Sequence, residues 1–98
     1  MEKRTPHCPL AKVKALVAAG QVRMTVTAVN GAAELGCDPD GMVEVVADLD
    51  PTDFYKSMTT QADYTVWQDV YRPMTDYGEV YLKLTVIADV LIVSFKEL

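Results

Sequence analysis

Four runs decide the fold: Phe54-Tyr55-Lys56-Ser57-Met58-Thr59-Thr60, Thr65-Val66-Trp67-Gln68-Asp69-Val70-Tyr71-Arg72, Glu79-Val80-Tyr81-Leu82-Lys83-Leu84-Thr85-Val86-Ile87, and Val90-Leu91-Ile92-Val93-Ser94-Phe95-Lys96. β-branched and aromatic residues dominate them, and Gln61-Ala62-Asp63, Pro73 to Gly78 and Ala88-Asp89 separate them. Such side chains pack well on a pleated surface, and turn formers interrupt it. The second half therefore predicts an antiparallel sheet of sequential hairpins.

Side chains on a strand alternate between its two faces. In the third run Glu79, Tyr81, Lys83 and Thr85 share one face, and Val80, Leu82, Leu84 and Val86 the other. In the fourth, Ser94 and Lys96 fall opposite Leu91, Val93 and Phe95, with Ile92 left on the polar side. Gln68 and Arg72 share a side, as do Lys56, Met58 and Thr60. One face is expected to be core. The other is expected to gather Lys56, Gln68, Arg72, Tyr81, Lys83 and Lys96. A merely solvated outer face accounts for the same alternation, because a single strand's pattern does not contain the register to its neighbours.

Upstream of the sheet the period changes. Pro9 suits the first position of a helix, followed at helical spacing by Leu10, Val13, Leu16 and Val17 and stopped by Gly20. Gln21 to Thr25 is a short strand or a connection. A second helix begins near Thr25 or Thr27 and runs to Gly36, with Gly31 inside it at a cost of about 1 kcal/mol relative to alanine. Asp38-Pro39 pairs a capping acceptor with a first-turn proline, and Met42, Val45, Val46 and Leu49 continue the stripe. Asp50-Pro51 repeats that logic for a further short turn. Segregated helices and strands predict an α+β fold, with N-terminal helices packed on one face of a C-terminal sheet.

Ninety-eight residues, half of them apolar, suit one domain spanning residues 1–98. No apolar run approaches the length of a membrane span, and no secretory leader is expected. Cys8 and Cys37 lack metal-type spacing and are expected to be free thiols in a reducing cytoplasm. The net charge of −5 argues against nonspecific nucleic-acid binding. Its distribution is uneven: Lys3, Arg4, Lys12, Lys14 and Arg23 meet only Glu2 in the first 23 residues, whereas residues 24–55 hold seven acids and no Lys or Arg. Two electrostatic faces are compatible with that asymmetry.

Motifs for phosphate loops and zinc helices are missing, the single histidine is His7, and the acids fall on helices and turns. No metal site or cofactor is expected. The Lys/Gln/Arg/Tyr set suits a polyanion: cations for phosphate, Gln for base edges or sugar hydroxyls, and Tyr55, Tyr71 or Trp67 for stacking. It also suits metal-free RNA cleavage. That reaction needs a deprotonated 2′-oxygen, a stabilised phosphorane and a protonated 5′-oxygen.

The blocks Met1 to His7, Asp53 to Thr60, Trp67 to Pro73 and Val90 to Lys96 resemble the MqsR family of motility quorum-sensing regulator toxins, and the resemblance extends over essentially the whole chain. It implies a RelE-like α+β fold and a ribosome-independent mRNA interferase cutting at GCU-type sites. It also implies a cognate antitoxin, MqsA, through which alone the toxin reaches operator DNA, with consequences for growth, persistence and biofilm behaviour. Carried over residue by residue, the family's catalytic set falls on Lys56, Gln68, Tyr81 and Lys96. Tyr55, Met58 and Arg72 match neighbouring positions tied to activity or RNA recognition, and Lys83 joins them as a substrate contact from the alternation. Two departures stand out: Ala88 occupies a position where the resemblance leads one to expect histidine, and Met74-Thr75-Asp76-Tyr77 adds an acid beside the RNA path. The rival from another functional class is a non-catalytic, antitoxin-bound transcriptional corepressor.

Overall fold

The computed structural model describes residues 1–98, and its three helices all precede the long strands. Helix α1 spans Leu10–Ala18, α2 Val26–Glu34 and α3 Pro39–Ala47. Pro9 is the residue before α1 rather than its first helical position: its backbone is extended, and its carbonyl accepts from Lys12 and Val13. The proline still sits where no N–H is needed. Gly20, at φ +76°, ends α1, with its N–H donating to the Val17 carbonyl and that of Gln21 to Leu16. Gly36, at φ +80°, closes α2 in the same way onto Ala33 and Ala32. In both places a left-handed glycine satisfies carbonyls the helix leaves open. Thr25 is the cap of α2, accepting from the Ala28 N–H at 3.0 Å. Asp38 caps α3 through Gly41 at 2.7 Å, and Asp50 caps the 3₁₀ turn Pro51–Asp53.

The four long strands are β3 (Phe54–Thr59), β4 (Trp67–Tyr71), β6 (Gly78–Val86) and β7 (Val90–Glu97). Three short ones join them: β1 (Glu2–Lys3), β2 (Val22–Met24) and β5 (Met74–Thr75). The sheet order is β1-β3-β4-β6-β7-β2, with β5 paired to β6. All pairings are antiparallel except β2 on β7. The fold is α+β, as the segregated patterns predict. Two or three residues are too few to show alternation. Hence β1 and β5 escape the sequence, and β2 stays open between strand and connection.

Helices and sheet meet in one apolar layer. Val13, Val17, Ala28, Ala32, Met42, Val46 and Leu49 pack against Tyr71, Val80, Leu82, Leu84, Val90, Ile92 and Phe95. Helix α2 lies so close to β7 that a Cβ on Gly31 would stand 2.2 Å from the Phe95 carbonyl oxygen. Glycine is required there by proximity, although it weakens the helix. Where β2 ends, α2 takes over the β7 edge, with the Thr25 N–H donating to the Ile92 carbonyl and its hydroxyl to Val93.

Three expectations from the sequence need correction here, two from alternation and one from the placement of the acids. The β6–β7 register shifts between Lys83 and Leu84: Lys83 faces Ser94, whereas Leu84 faces Ile92. The intervening Val93 is a bulge, which switches the face on which each side chain lies. Ile92 is therefore core and fully buried beside Phe95, while Leu91 and Val93 are only half-buried. Thr85 is also buried, its hydroxyl donating to the Trp67 carbonyl at 2.7 Å. Finally, one acid does occupy a strand centre. Asp69 in β4 is 3% exposed, and its carboxylate accepts the N–H groups of His7 and Cys8 at 2.9 and 3.0 Å. Two backbone donors offset its burial and tie the N-terminal segment to the sheet.

Candidate active site on the open face of the sheet

The helices cover one face of the sheet, and cross-strand register assembles the polar residues on the other. Lys56, Val70, Lys83 and Ser94 lie side by side across β3, β4, β6 and β7. In the next row Tyr81 is opposite Lys96. On the other side of that line Met58 is opposite Gln68, with Glu2 of β1 beyond it. Residues in directly opposed or diagonal positions are within side-chain reach, so these rows form one patch.

A second bulge completes it. The β3–β4 register shifts between Phe54, opposite Tyr71, and Lys56, opposite Val70. Phe54 packs edge-on against Tyr71 at 5.5 Å. Tyr55, which strict alternation would put opposite Lys56, instead joins the cations. Its ring lies 4.5 Å from the Arg72 guanidinium, 5.4 Å from Lys56 Nζ and 5.7 Å from the Arg4 guanidinium. The Tyr81 ring has Lys96 Nζ at 5.4 Å and Lys83 Nζ at 5.9 Å. Of these cations only Lys56 has a carboxylate partner, Glu2; Arg4, Arg72, Lys83 and Lys96 rest over aromatic faces without one, which leaves their charge available to phosphate.

The lysines differ in environment. Lys56 forms an ion pair with Glu2, and that hydrogen bond raises its pKa while lowering that of Glu2. Lys83 goes the other way: burial, then the charges of Lys96 and Lys56, push its pKa below that of an ordinary lysine. Desolvation and like charges both disfavour the ammonium form. Val70, between Lys56 and Lys83 in the row, is fully buried although it lies outside the helix-side core. The aliphatic stems of long cations cover apolar surface in this way.

All eight residues singled out in the sequence therefore belong to this face: Lys56, Gln68, Tyr81 and Lys96, with Tyr55, Met58, Arg72 and Lys83. Two stacking candidates do not. Tyr71 is fully buried among the helices, and Trp67 lies on the Asp69 side of β4, stacked on His7 at 5.5 Å with Lys3 Nζ 4.2 Å above it. Of the N-terminal cations, Arg4 reaches the patch, whereas Arg23 pairs with Asp89 at 2.6 Å. Sequence reasoning missed Glu2 and Arg4 as neighbours of Lys56 and Tyr55. The basic start at Lys3-Arg4 was the available signal, but nothing local announces the pairing of β1 with β3.

A family model described as "Motility quorum-sensing regulator, toxin of MqsA" matches residues 5–97. Over 97 residues the chain is also 65% identical to the mRNA interferase toxin MqsR of Escherichia coli (strain K12), covering 99% of both chains. Both matches take in the helical layer and the four long strands that carry the patch, and the chain belongs to the MqsR family of motility quorum-sensing regulator toxins.

Proposed function

We infer that this chain is an endoribonuclease toxin: an mRNA interferase with a RelE-like fold, residues 1–98 acting as one domain, that cleaves RNA through its own side chains. The observation that carries the inference is the convergence of Lys56, Gln68, Arg72, Tyr81, Lys83 and Lys96 on the sheet face that no helix covers. The relative named an mRNA interferase toxin supports the same activity.

The chemistry follows from the environments of these groups. Lys56 and Lys96 flank the scissile phosphate and stabilise the added negative charge of the phosphorane. Lys83, whose depressed pKa makes the neutral amine more accessible, takes the proton from the 2′-hydroxyl. The 2′-oxygen attacks phosphorus as the bond to the 5′-oxygen breaks. Tyr81, beside Lys83 and Lys96, gives its proton to that departing oxygen. The products are a 2′,3′-cyclic phosphate and a 5′-hydroxyl. Gln68 orients the ribose or a base, Tyr55 stacks a base under Arg72, and Met58 packs beside it.

The family description, toxin of MqsA, supports an MqsA-like antitoxin as the protein partner. In this reading the antitoxin neutralises the enzyme and carries any contact with operator DNA. The substrate is mRNA cut at GCU-type sites, free of the ribosome and in the cytoplasm. No helix is long and apolar enough to cross a membrane. The test is incubation of antitoxin-free protein with ribosome-free RNA containing several GCN triplets, in EDTA, beside a folded Lys56→Ala control. Discrete cuts ending in cyclic phosphate, absent from the control, are expected. Intact RNA from folded wild-type protein would favour the corepressor instead.

A further inference from the structure

The contact of Gly31 with the Phe95 carbonyl brings α2 to the border of the open face, where β7 has no strand beyond β2 to pair with. Beside that contact Thr27, Asn30 and Glu34 of α2 and Ser94 and Lys96 of β7 line a groove of about 320 Å³. Asn30 and Glu34 are four residues apart and exposed, so they share one side of the helix. Lys96 belongs to both places: it lines the groove and sits 5.4 Å from the Tyr81 ring. The groove therefore opens beside one of the two cations that the proposed mechanism sets on the scissile phosphate.

We propose that Glu34 and Asn30 are the specificity-determining residues that read, in this groove, the guanine of the GCU-type site next to the scissile phosphate; the proposal rests on the ribonuclease reading above. Glu34 is what fits this groove to guanine rather than to another base. A carboxylate on an RNA path repels phosphate and accepts hydrogen bonds without donating any. It is matched by a base edge presenting two adjacent N–H donors, and guanine offers N1–H and N2–H side by side. Adenine and cytosine each present one amino group next to a ring-nitrogen lone pair that the carboxylate repels. Uracil presents one N–H between two carbonyl oxygens. The Asn30 amide supplies the complementary donor for guanine O6. Recognition at the Watson–Crick edge of an unstacked base is how proteins read single-stranded RNA.

The experiment uses short RNAs bearing one cut site, with inosine replacing guanine at each flanking position in turn. Inosine lacks only the 2-amino group. For the wild-type protein, inosine at one flanking position lowers the cleavage rate about tenfold or more, the usual size of a lost bidentate contact. In Glu34→Gln the guanine-to-inosine rate ratio collapses toward one, because its amide N–H group faces the guanine donors. Asn30→Ala narrows the ratio partly. A ratio unchanged in Glu34→Gln, or no inosine effect in the wild-type protein, overturns the subsite while leaving the nuclease intact. Wild-type protein that cuts none of these RNAs overturns the nuclease reading. The groove is then judged by whether Glu34→Gln erases a guanine-over-inosine difference in Kd for the same RNAs.

Discussion

The two faces of the sheet are built from the same strands by opposite rules. On the helix side Leu82, Leu84, Ile92 and Phe95 are sealed from water, each contributing about 1.5–3 kcal/mol by burial. On the open side the alternate β6 residues Tyr81 and Lys83 are half-buried beside further cations. Two lysines crowding a third, partly desolvated one do not help folding. The comparison teaches where stability was given up: the covered face holds the chain together, and the open face carries charge suited to a phosphate.

That contrast breaks most visibly at Lys83. Its depressed pKa means that the folded chain binds fewer protons there than the unfolded chain, so stability rises with pH across the window below the ordinary lysine value. At neutral pH the charged side chain is a net cost. Lys83→Met should lower RNA cleavage by roughly 10²–10⁴-fold, the usual loss for a proton-transfer group, while the melting temperature at pH 7 stays or rises. Cleavage within a few-fold of wild type would remove Lys83 from the chemistry. Lys83→Arg, which keeps the charge but holds its proton, should be as inactive as the methionine variant.

A smaller effect belongs to the seam between helix and sheet. Gly31→Ala improves helix propensity but drives a methyl into the Phe95 carbonyl, 2.2 Å away. Overpacking of this kind costs about 1–3 kcal/mol, so calorimetry should show a lower melting temperature despite the better helix former. An unchanged or higher value would mean that α2 is not held against β7 so closely. The smallest effect lies in the covered face at Tyr71, whose buried hydroxyl has no hydrogen-bond partner. Burial, with the nearby charges of Asp69 and Cys8, pushes its pKa up to about 12 from the usual 10.0. The unfolded chain ionises first, so this group's stability is complete below pH 10 and is lost as pH rises toward 12. Tyr71→Phe should melt within about 1 kcal/mol of wild type at pH 7 and gain on it steadily over that alkaline range. Parallel melting curves across the range would show the hydroxyl to be solvated.

Much of this was legible in the chain because it is local. The caps at Thr25, Asp38 and Asp50 and the stop at Gly20 act over a few residues, and all four operate as their residue types predict. Alternation in β6 correctly separates Val80, Leu82 and Leu84 from Tyr81 and Lys83. It fails in β3 and β7, where bulges at Tyr55 and Val93 reset the period. A bulge inserts one residue relative to a partner strand, and a pattern read along one strand has no partner to count against. The same blindness hid Asp69, whose donors come from residues 7 and 8, far away in sequence.

The sequence by itself determined the layered α+β architecture, the strands that carry the polar residues and the family to which the chain belongs. These follow from side-chain chemistry repeated at short range and from blocks of residues long enough to be specific. Tertiary structure alone decided that Tyr55 turns toward Arg72, that Glu2 meets Lys56, that Lys83 is crowded by Lys56 and Lys96, and that α2 brings Asn30 and Glu34 up to Lys96. Each of those depends on register and approach between segments distant in the chain. Register is set by how whole faces pack, and no single segment contains that information.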